Sequence, residues 1–414
     1  MERKITDELL PHLFRTEYGK LVAVIAKVFG FHHLQVAEDI ASETFLQATE
    51  SWPYHGVPAN PVAWIYAVAK NKAKNHLARI QVFDEKIAPT IKANNTANVD
   101  VEFDLTDHSI RDSQLRMLFA VCHPAISEAE QICLALRTLC GFGLTEIADA
   151  FLTNKHRIHK RLQRARQKLR SEDITFVVPD GPLLEKRLPT VLRMLYLLFN
   201  EGYYSESHSE IIRHEWCVEA MNLTYLLLNY KPTNTHSSNA LMALFCFHAS
   251  RLEARQAPDG TVILYADQDT SRWDTELIEK GFHYLKQAST CKTTSKYYIE
   301  ASIAYWHTTK SDSNIKWPAI LALYDTLVIQ DSTPIVALNR IFALYKVKGS
   351  ETALREIETV PVNESRFYWL LLAELHKKRH PEKAKKYLQV AMTMAANKPE
   401  RRAIQQRLDD LQSE

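Results

Sequence analysis

The sequence predicts an all-α protein. The 414-residue chain contains only ten glycines, and its long segments rich in Leu, Ala, Glu and Lys favour helix. Apolar residues recur at spacings of three and four along most of the chain, whereas the alternation typical of strands is confined to the short stretch 260–266. Since 46% of the residues are apolar, the chain can form a sizeable core, and its length allows two or three domains.

Composition also narrows the class of protein. The first twenty residues lack the apolar core of a signal peptide, and no stretch is apolar enough to span a membrane. The six cysteines form no CxxC pair, which indicates reduced core thiols and a cytoplasmic protein. We expect neither a cofactor nor a metal, because the pairs Cys122–His123 and His32–His33 are adjacent on helices and point in different directions. The net charge of +2 is too small to identify a class of partner.

The chain divides into four stretches by pattern. Residues 81–112 are poor in periodic apolar positions and rich in Asn, Asp and Thr, as expected of a linker. The predicted organisation is a helical domain over 7–80, a linker over 81–112, short amphipathic helices over 113–171, and a long series of helices over 183–414.

Residues 143–170 predict a helix-turn-helix. Gly143 can cap a first helix and Thr153 a second. Each helix has apolar residues spaced for one buried face: Leu144, Ile147, Ala148 and Phe151 in the first, and Ile158, Leu162, Ala165 and Leu169 in the second.

The second of these helices is strongly cationic. Residues 155–170 hold eight Lys and Arg residues and no acidic residue. A solvated basic face is the plain alternative, but such a face commonly carries Glu or Asp for i,i+4 pairs. A cationic helix behind a short packed helix suits the DNA major groove. The predicted base readers are Lys155, His156, Arg157 and Lys160, and the predicted backbone contacts are Arg161, Arg164 and Lys168.

An acidic patch precedes this pair by about a hundred residues. Glu38, Asp39 and Glu43 lie in the amphipathic stretch 34–52. Because carboxylates repel DNA, the patch is either solvated or turned towards a basic protein partner.

The following segment, 52–79, interleaves aromatic residues with Lys and Asn. Asn60 followed by Pro61 is a good helix start. Rings can stack on unpaired bases, amides can read base edges, and lysines can hold phosphates. Alternatively, the aromatic residues lie in the core. The candidates for binding a melted strand are Trp64, Lys70, Asn71, Lys74, Asn75 and Arg79.

Two blocks in this order, "AEDIASETFLQA…NPVAWIYAVAKNKAKNHLAR" and "GLTEIADAFLTNKHRIHKRLQRARQKLR", resemble the sigma-70 superfamily of bacterial RNA polymerase sigma factors, of the extracytoplasmic-function type. In such proteins the first block, region 2, binds core polymerase and melts the minus-ten element. The second block, region 4, reads the minus-thirty-five element as duplex. One departure is Leu152, which stands where the turn of region 4 usually has Gly.

The resemblance implies partners and roles. Core RNA polymerase would be bound through its clamp helices and flap, and Glu38, Asp39 and Glu43 would meet the clamp helices. Promoter DNA would be the second partner, and no enzymatic activity is expected. The alternative is a duplex-binding helix-turn-helix regulator that carries a protein-binding repeat scaffold and never engages polymerase.

The C-terminal stretch resembles the subgroup of these sigma factors with a tetratricopeptide-like extension. The spacing of Tyr368, Leu371, Leu372 and Leu375, followed by Ala384, Leu388 and Ala391, approximates one repeat. We expect this domain to regulate activity through an intramolecular contact or an unknown protein partner. A polar cluster at 267–273 is either a helix start, capped by Ser271 and Asp274, or a docking contact with the N-terminal domains.

Overall fold

The computed structural model describes residues 2–87, 104–151, 153–172, 174–204, 214–255, 257, 263, 265–290, 294–310, 313–360, 365–395 and 398–413. The regular secondary structure in these ranges consists of α-helices and short 3-10 helices. The all-α prediction is therefore confirmed. The chain divides into two compact units, Met1–Met194 and Leu195–Glu414.

The first unit holds the two blocks recognised in the sequence. Its helices are α1 (Glu2–Phe29), α2 (Leu34–His55), α3 (Pro61–Ile87), α4 (Asp107–Val121), α5 (Glu128–Thr138), α6 (Leu144–Ala150) and α7 (Lys155–Ser171), with a 3-10 turn at Phe31–His33. The boundary between the units falls inside α8 (Gly181–Tyr204). Helices extend into both ends of the predicted linker, since α3 continues to Ile87 and α4 begins at Asp107. Residues 88–103 lie outside the described residues.

Helix α1 is central to this unit, because it packs on α2, α3, α4 and α5. Tyr18, Val22 and Ile25 on α1 are almost fully buried. Gly19 lies against the end of α5, where a Cβ would stand 1.8 Å from the carbonyl oxygen of Leu139. Only glycine allows this approach, which brings α1 directly against the end of α5.

Helices α6 and α7 lie where the sequence predicts a pair of helices over 143–170, and one of the two predicted caps differs. Gly143 precedes α6, and its N–H donates to Glu146 at 2.6 Å. The expectation that Thr153 caps the second helix is wrong. Asn154 takes this role, because its side-chain oxygen accepts the Arg157 N–H at 2.9 Å. Leu152, in the turn, lies outside the described residues.

The second unit continues as a helical series. Its further α-helices are α9 (His214–Leu228), α10 (His236–Ala249), α11 (Thr275–Ala288), α12 (Lys296–Trp306), α13 (Lys316–Gln330), α14 (Pro334–Lys348), α15 (Ser350–Ile357), α16 (Arg366–His376), α17 (Pro381–Thr393) and α18 (Lys398–Ser413). Of the predicted repeat, Leu371, Leu372 and Leu375 are buried on α16. Ala384, Leu388 and Ala391 are buried on α17, and these two helices pack on each other.

The polar cluster at 267–273 is organised differently from the prediction. Asp269, not Asp274, bonds Ser271, because the Asp269 carboxylate accepts the Ser271 N–H at 2.9 Å. Asp274 instead caps α11 by accepting the Leu277 N–H at 2.9 Å. The predicted capping box is therefore wrong. Of the stretch 260–266, residues 260–262 and 264 lie outside the described residues, and Tyr265 begins a 3-10 turn that ends at Asp267.

Candidate nucleic-acid interface

Helix α7 separates an apolar face from a cationic one. Its predicted apolar residues are all buried, at 0–1% exposure: Ile158, Leu162, Ala165 and Leu169. This face packs on α5 and α6. The apolar periodicity therefore fixes which side of α7 remains available to a ligand.

The predicted DNA-binding residues lie on the remaining surface. Six are exposed, namely Lys155, His156, Arg157, Lys160, Arg164 and Lys168, whereas Arg161 is half-buried. Within the described part of the chain, no carboxylate forms an ion pair with Lys155, Arg157, Lys160 or Arg164. These four cations therefore keep their charge available for phosphate oxygens.

The other two residues predicted to contact the DNA backbone, Arg161 and Lys168, already have protein partners. Arg161 lies near the Cys133 sulfur, at 3.6 Å, and over the ring of Phe151. Lys168 pairs with Glu130 at 3.3 Å. Burial opposes ionisation of Glu130, but hydrogen bonds from Ser127 and Lys168 outweigh it and hold its pKa below the usual value. Arg161 and Lys168 thus also brace α7 against α5.

Helix α3 carries the amide-rich surface. It starts as predicted, because the side chain of Asn60 accepts the Ala63 N–H at 3.0 Å. The predicted strand-binding residues Asn71, Lys74, Asn75 and Arg79 are exposed, and Lys70 is half-buried. Their spacing places Asn71 and Asn75 one turn apart on one face.

The aromatic residues of this block divide between core and surface. Trp52 is buried, and half-buried Trp64 packs edge-on against it with ring centroids 5.4 Å apart. Tyr66 is buried and donates its hydroxyl proton to Glu17 at 3.0 Å. Burial and this carboxylate raise the Tyr66 pKa. Tyr54 is 81% exposed, so it is the ring of this set most open to a base.

The three predicted acidic residues on α2 fall into different environments. Asp39 and Glu43 are exposed, and Glu43 lies 3.4 Å from Lys72. Glu38 is only 4% exposed and pairs with Arg166 of α7 at 2.5 Å. The patch is therefore not a single solvated surface in this structure. Arg166 is not among the residues predicted to bind DNA, and it links α2 to α7.

The Glu38 carboxylate is held by opposing forces. Burial raises its pKa, while Arg166 and Arg137 oppose this effect. Its Oε2 bonds Arg166, whereas its Oε1 and the Arg166 Nε find no hydrogen-bond partner among the described residues. The ion pair is therefore only partly satisfied.

The described residues contain neither a candidate metal site nor a candidate membrane-spanning helix. They contain no cluster of three or more His, Cys, Asp or Glu side chains arranged to hold a metal ion. In the same part of the chain, none of the helices combines the length and the apolarity needed to cross a membrane.

Comparison with known proteins matches two stretches of the chain to families. Residues 13–82, which include α2 and much of α1 and α3, match Sigma-70 region 2. Residues 187–289 match a family of unknown function (DUF6596). A protein of Rhizobium meliloti (strain 1021) described as uncharacterized is 31% identical over 395 residues, which cover 93% of this chain and 92% of that protein. No solved structure matches. The chain belongs to the sigma-70 superfamily, the RNA polymerase-binding and promoter-recognition factors, as a member with region 2 at its N-terminus and a DUF6596 domain as C-terminal extension.

Proposed function

We propose that the protein is a sigma factor of the extracytoplasmic-function type, in which α2 binds core polymerase, α3 captures the melted minus-ten strand and α7 reads the minus-thirty-five duplex. The observation that carries this proposal is the segregation of charge in the first unit. Exposed carboxylates on α2, and exposed cations on α7 that form no ion pair within the described residues, suit two different partners.

The protein-binding role belongs to α2. Asp39 and Glu43 are exposed carboxylates on the helix that lies within the match to Sigma-70 region 2. They would repel DNA but attract a basic helical surface on polymerase. Glu38 would join them once it leaves Arg166.

The two DNA-binding roles differ in the groups they need. Duplex recognition uses charge to hold phosphates and donors to read base edges, and the exposed part of α7 supplies both through Arg157 and Lys160. Single-strand capture needs amides and rings that reach unpaired bases, which Asn71, Asn75 and Tyr54 offer on the first block. Trp64, which is half-buried, would contribute the part of its ring that is exposed.

The extension would control activity. Its helix pairs, including α16 with α17, resemble tetratricopeptide-like pairs, whose stacking builds protein-binding surfaces. A chain ending at Met194 keeps the part of α8 that belongs to the first unit, including Arg187, whose guanidinium donates to the Phe119 carbonyl at 2.6 Å. We expect this truncated chain to differ from the full chain in promoter-directed transcription. Equal output and equal response would refute the regulatory role.

Complex formation with bacterial core polymerase, followed by run-off transcription on genomic fragments, tests the function. Asp39→Arg should abolish core binding while leaving binding to duplex DNA unchanged. Glu185→Arg, a charge reversal at an exposed position of α8, is the matched control and should bind core normally. A wild-type chain that binds DNA but never core would instead identify a duplex-binding regulator.

A further inference from the structure

The two sigma blocks of the first unit are joined by a buried ion pair. Glu38 on α2 and Arg166 on α7 are 128 residues apart in sequence, and their side chains are only 6% and 17% exposed. One carboxylate assigned above to polymerase binding is therefore occupied by an arginine from the helix assigned to duplex DNA.

Further contacts surround this pair at the junction between the blocks. The Arg170 guanidinium at the end of α7 donates to the carbonyl of His32 at 3.1 Å. Phe31 stacks with Phe176, with ring centroids 6.1 Å apart. Phe31 and His32 belong to the turn between α1 and α2. The end of α7 therefore contacts the turn that precedes α2.

The ion pair is poorly suited to be a source of stability. Both charges are largely shielded from water, yet one oxygen of Glu38 and the Nε of Arg166 have no hydrogen-bond partner in the part of the chain that the structure describes. Incomplete pairing recovers little of the cost of desolvation. Such a pair fixes the position of two helices but can be exchanged for a better partner at little net cost.

We propose that the Glu38–Arg166 ion pair holds the unbound protein in a closed state that withholds Glu38 from polymerase. This inference rests on the proposed function. A basic surface of core polymerase competes with Arg166 for the same carboxylate, because Arg166 already binds the Oε2 atom of Glu38 in the unbound chain. Polymerase binding therefore separates α2 from α7, and Arg166 is released to add a cation to the duplex-binding helix.

Hydrogen exchange and core affinity, both measured on the full chain, test the proposal. Arg166→Met leaves the buried carboxylate without its counter-charge and should reduce exchange protection over 34–41 and 160–169. If the open state is a minor species, opening it raises the apparent affinity for core by the inverse of its population, roughly tenfold for a population of about a tenth. Lys186→Met is the matched control, since Lys186 is an exposed cation of the first unit that is assigned no binding role and forms no ion pair within the described residues.

A charge swap separates the ion pair from a general loss of folding. Glu38→Arg combined with Arg166→Glu should restore the exchange protection but leave core affinity below that of Arg166→Met, because position 38 no longer offers a carboxylate to polymerase. Unchanged protection in Arg166→Met, or reduced protection without tighter core binding, overturns the proposal. Exchange is measured without polymerase, so a wild-type chain that never binds core overturns the proposed function separately and leaves the exchange result unaffected.

Discussion

Gly19 on α1 lies so close to the end of α5 that a Cβ atom there would stand 1.8 Å from the carbonyl oxygen of Leu139. The same Cβ would lie 2.5 Å from the Leu139 carbonyl carbon. Because the obstacle is backbone, no side-chain rotation can relieve it. This contact joins region 2 to the helices that support α7, so the packing of the first unit depends on a residue without a side chain.

We therefore expect Gly19→Ala to destabilise the first unit. Overpacking of a tight contact costs about 1–3 kcal/mol, and a backbone neighbour places this substitution at the upper end. Thermal unfolding followed by calorimetry should show a lower transition temperature for this unit. Gln47→Ala, at an exposed position of α2, should leave the transition nearly unchanged. Equal stability of Gly19→Ala and wild type would show that α1 and α5 do not pack this closely.

The cationic surface of α7 predicts two different losses of DNA affinity. Arg164→Ala should weaken binding to all duplexes alike and reduce the slope of log affinity against log salt by about 1, as expected for one lost phosphate contact. Arg157→Ala should cost about 1–3 kcal/mol at the preferred site and relax the sequence preference. Anisotropy titrations of specific and scrambled duplexes at several salt concentrations measure both effects.

The control for these titrations is an exposed lysine far along the chain. Lys348→Ala, at the end of α14, removes the same charge from the second unit. It should change neither affinity nor salt slope. If all three variants lose affinity equally, α7 has no special role in duplex binding.

The exposed amides of α3 predict a defect in strand capture. In the double variant Asn71→Ala, Asn75→Ala, the chain should fold and bind core normally, because both side chains are exposed. The promoter should open severalfold less with this variant. The permanganate reactivity of unpaired thymines measures the opening. Gln47→Ala serves as the exposed amide control. Normal opening by the double variant would move strand capture away from this face.

Local periodicity predicts the helices and their buried faces well. The apolar stripe of α7 is determined by residues within one helix, and it is buried as expected. The cap of α7 was misplaced by one residue, because Thr153 and Asn154 are both residue types that cap helices. Only the geometry shows that the Asn154 side chain accepts the N–H of Arg157.

The sequence pattern can predict that Glu38 is buried, but it cannot predict that Arg166 is its partner. One row of buried residues on α2 recurs at alternating spacings of four and three, and Glu38 occupies one position of that row. The row consists of Leu34, Glu38, Ala41, Phe45, Ala48 and Trp52. This spacing signals burial, although the charge suggests exposure. The choice of Arg166 as counter-charge depends on how two distant helices meet, which no local pattern encodes.

A buried carboxylate in the second unit predicts a pH dependence of stability. Burial raises the pKa of Glu300 to about 7, although Lys296 and the Tyr196 hydroxyl favour its charged form. Between the ordinary glutamate value and 7, the folded state keeps a proton that the unfolded state has lost. The free energy of unfolding therefore decreases as pH rises through this window, by at most about 1.4 kcal/mol per pH unit. Denaturant titrations between pH 4.5 and 8 should show this decrease in wild type and a flatter profile in Glu300→Gln. Glu276→Gln, whose side chain is 83% exposed, should retain the wild-type slope, and a slope shared by all three proteins would assign the dependence to another group.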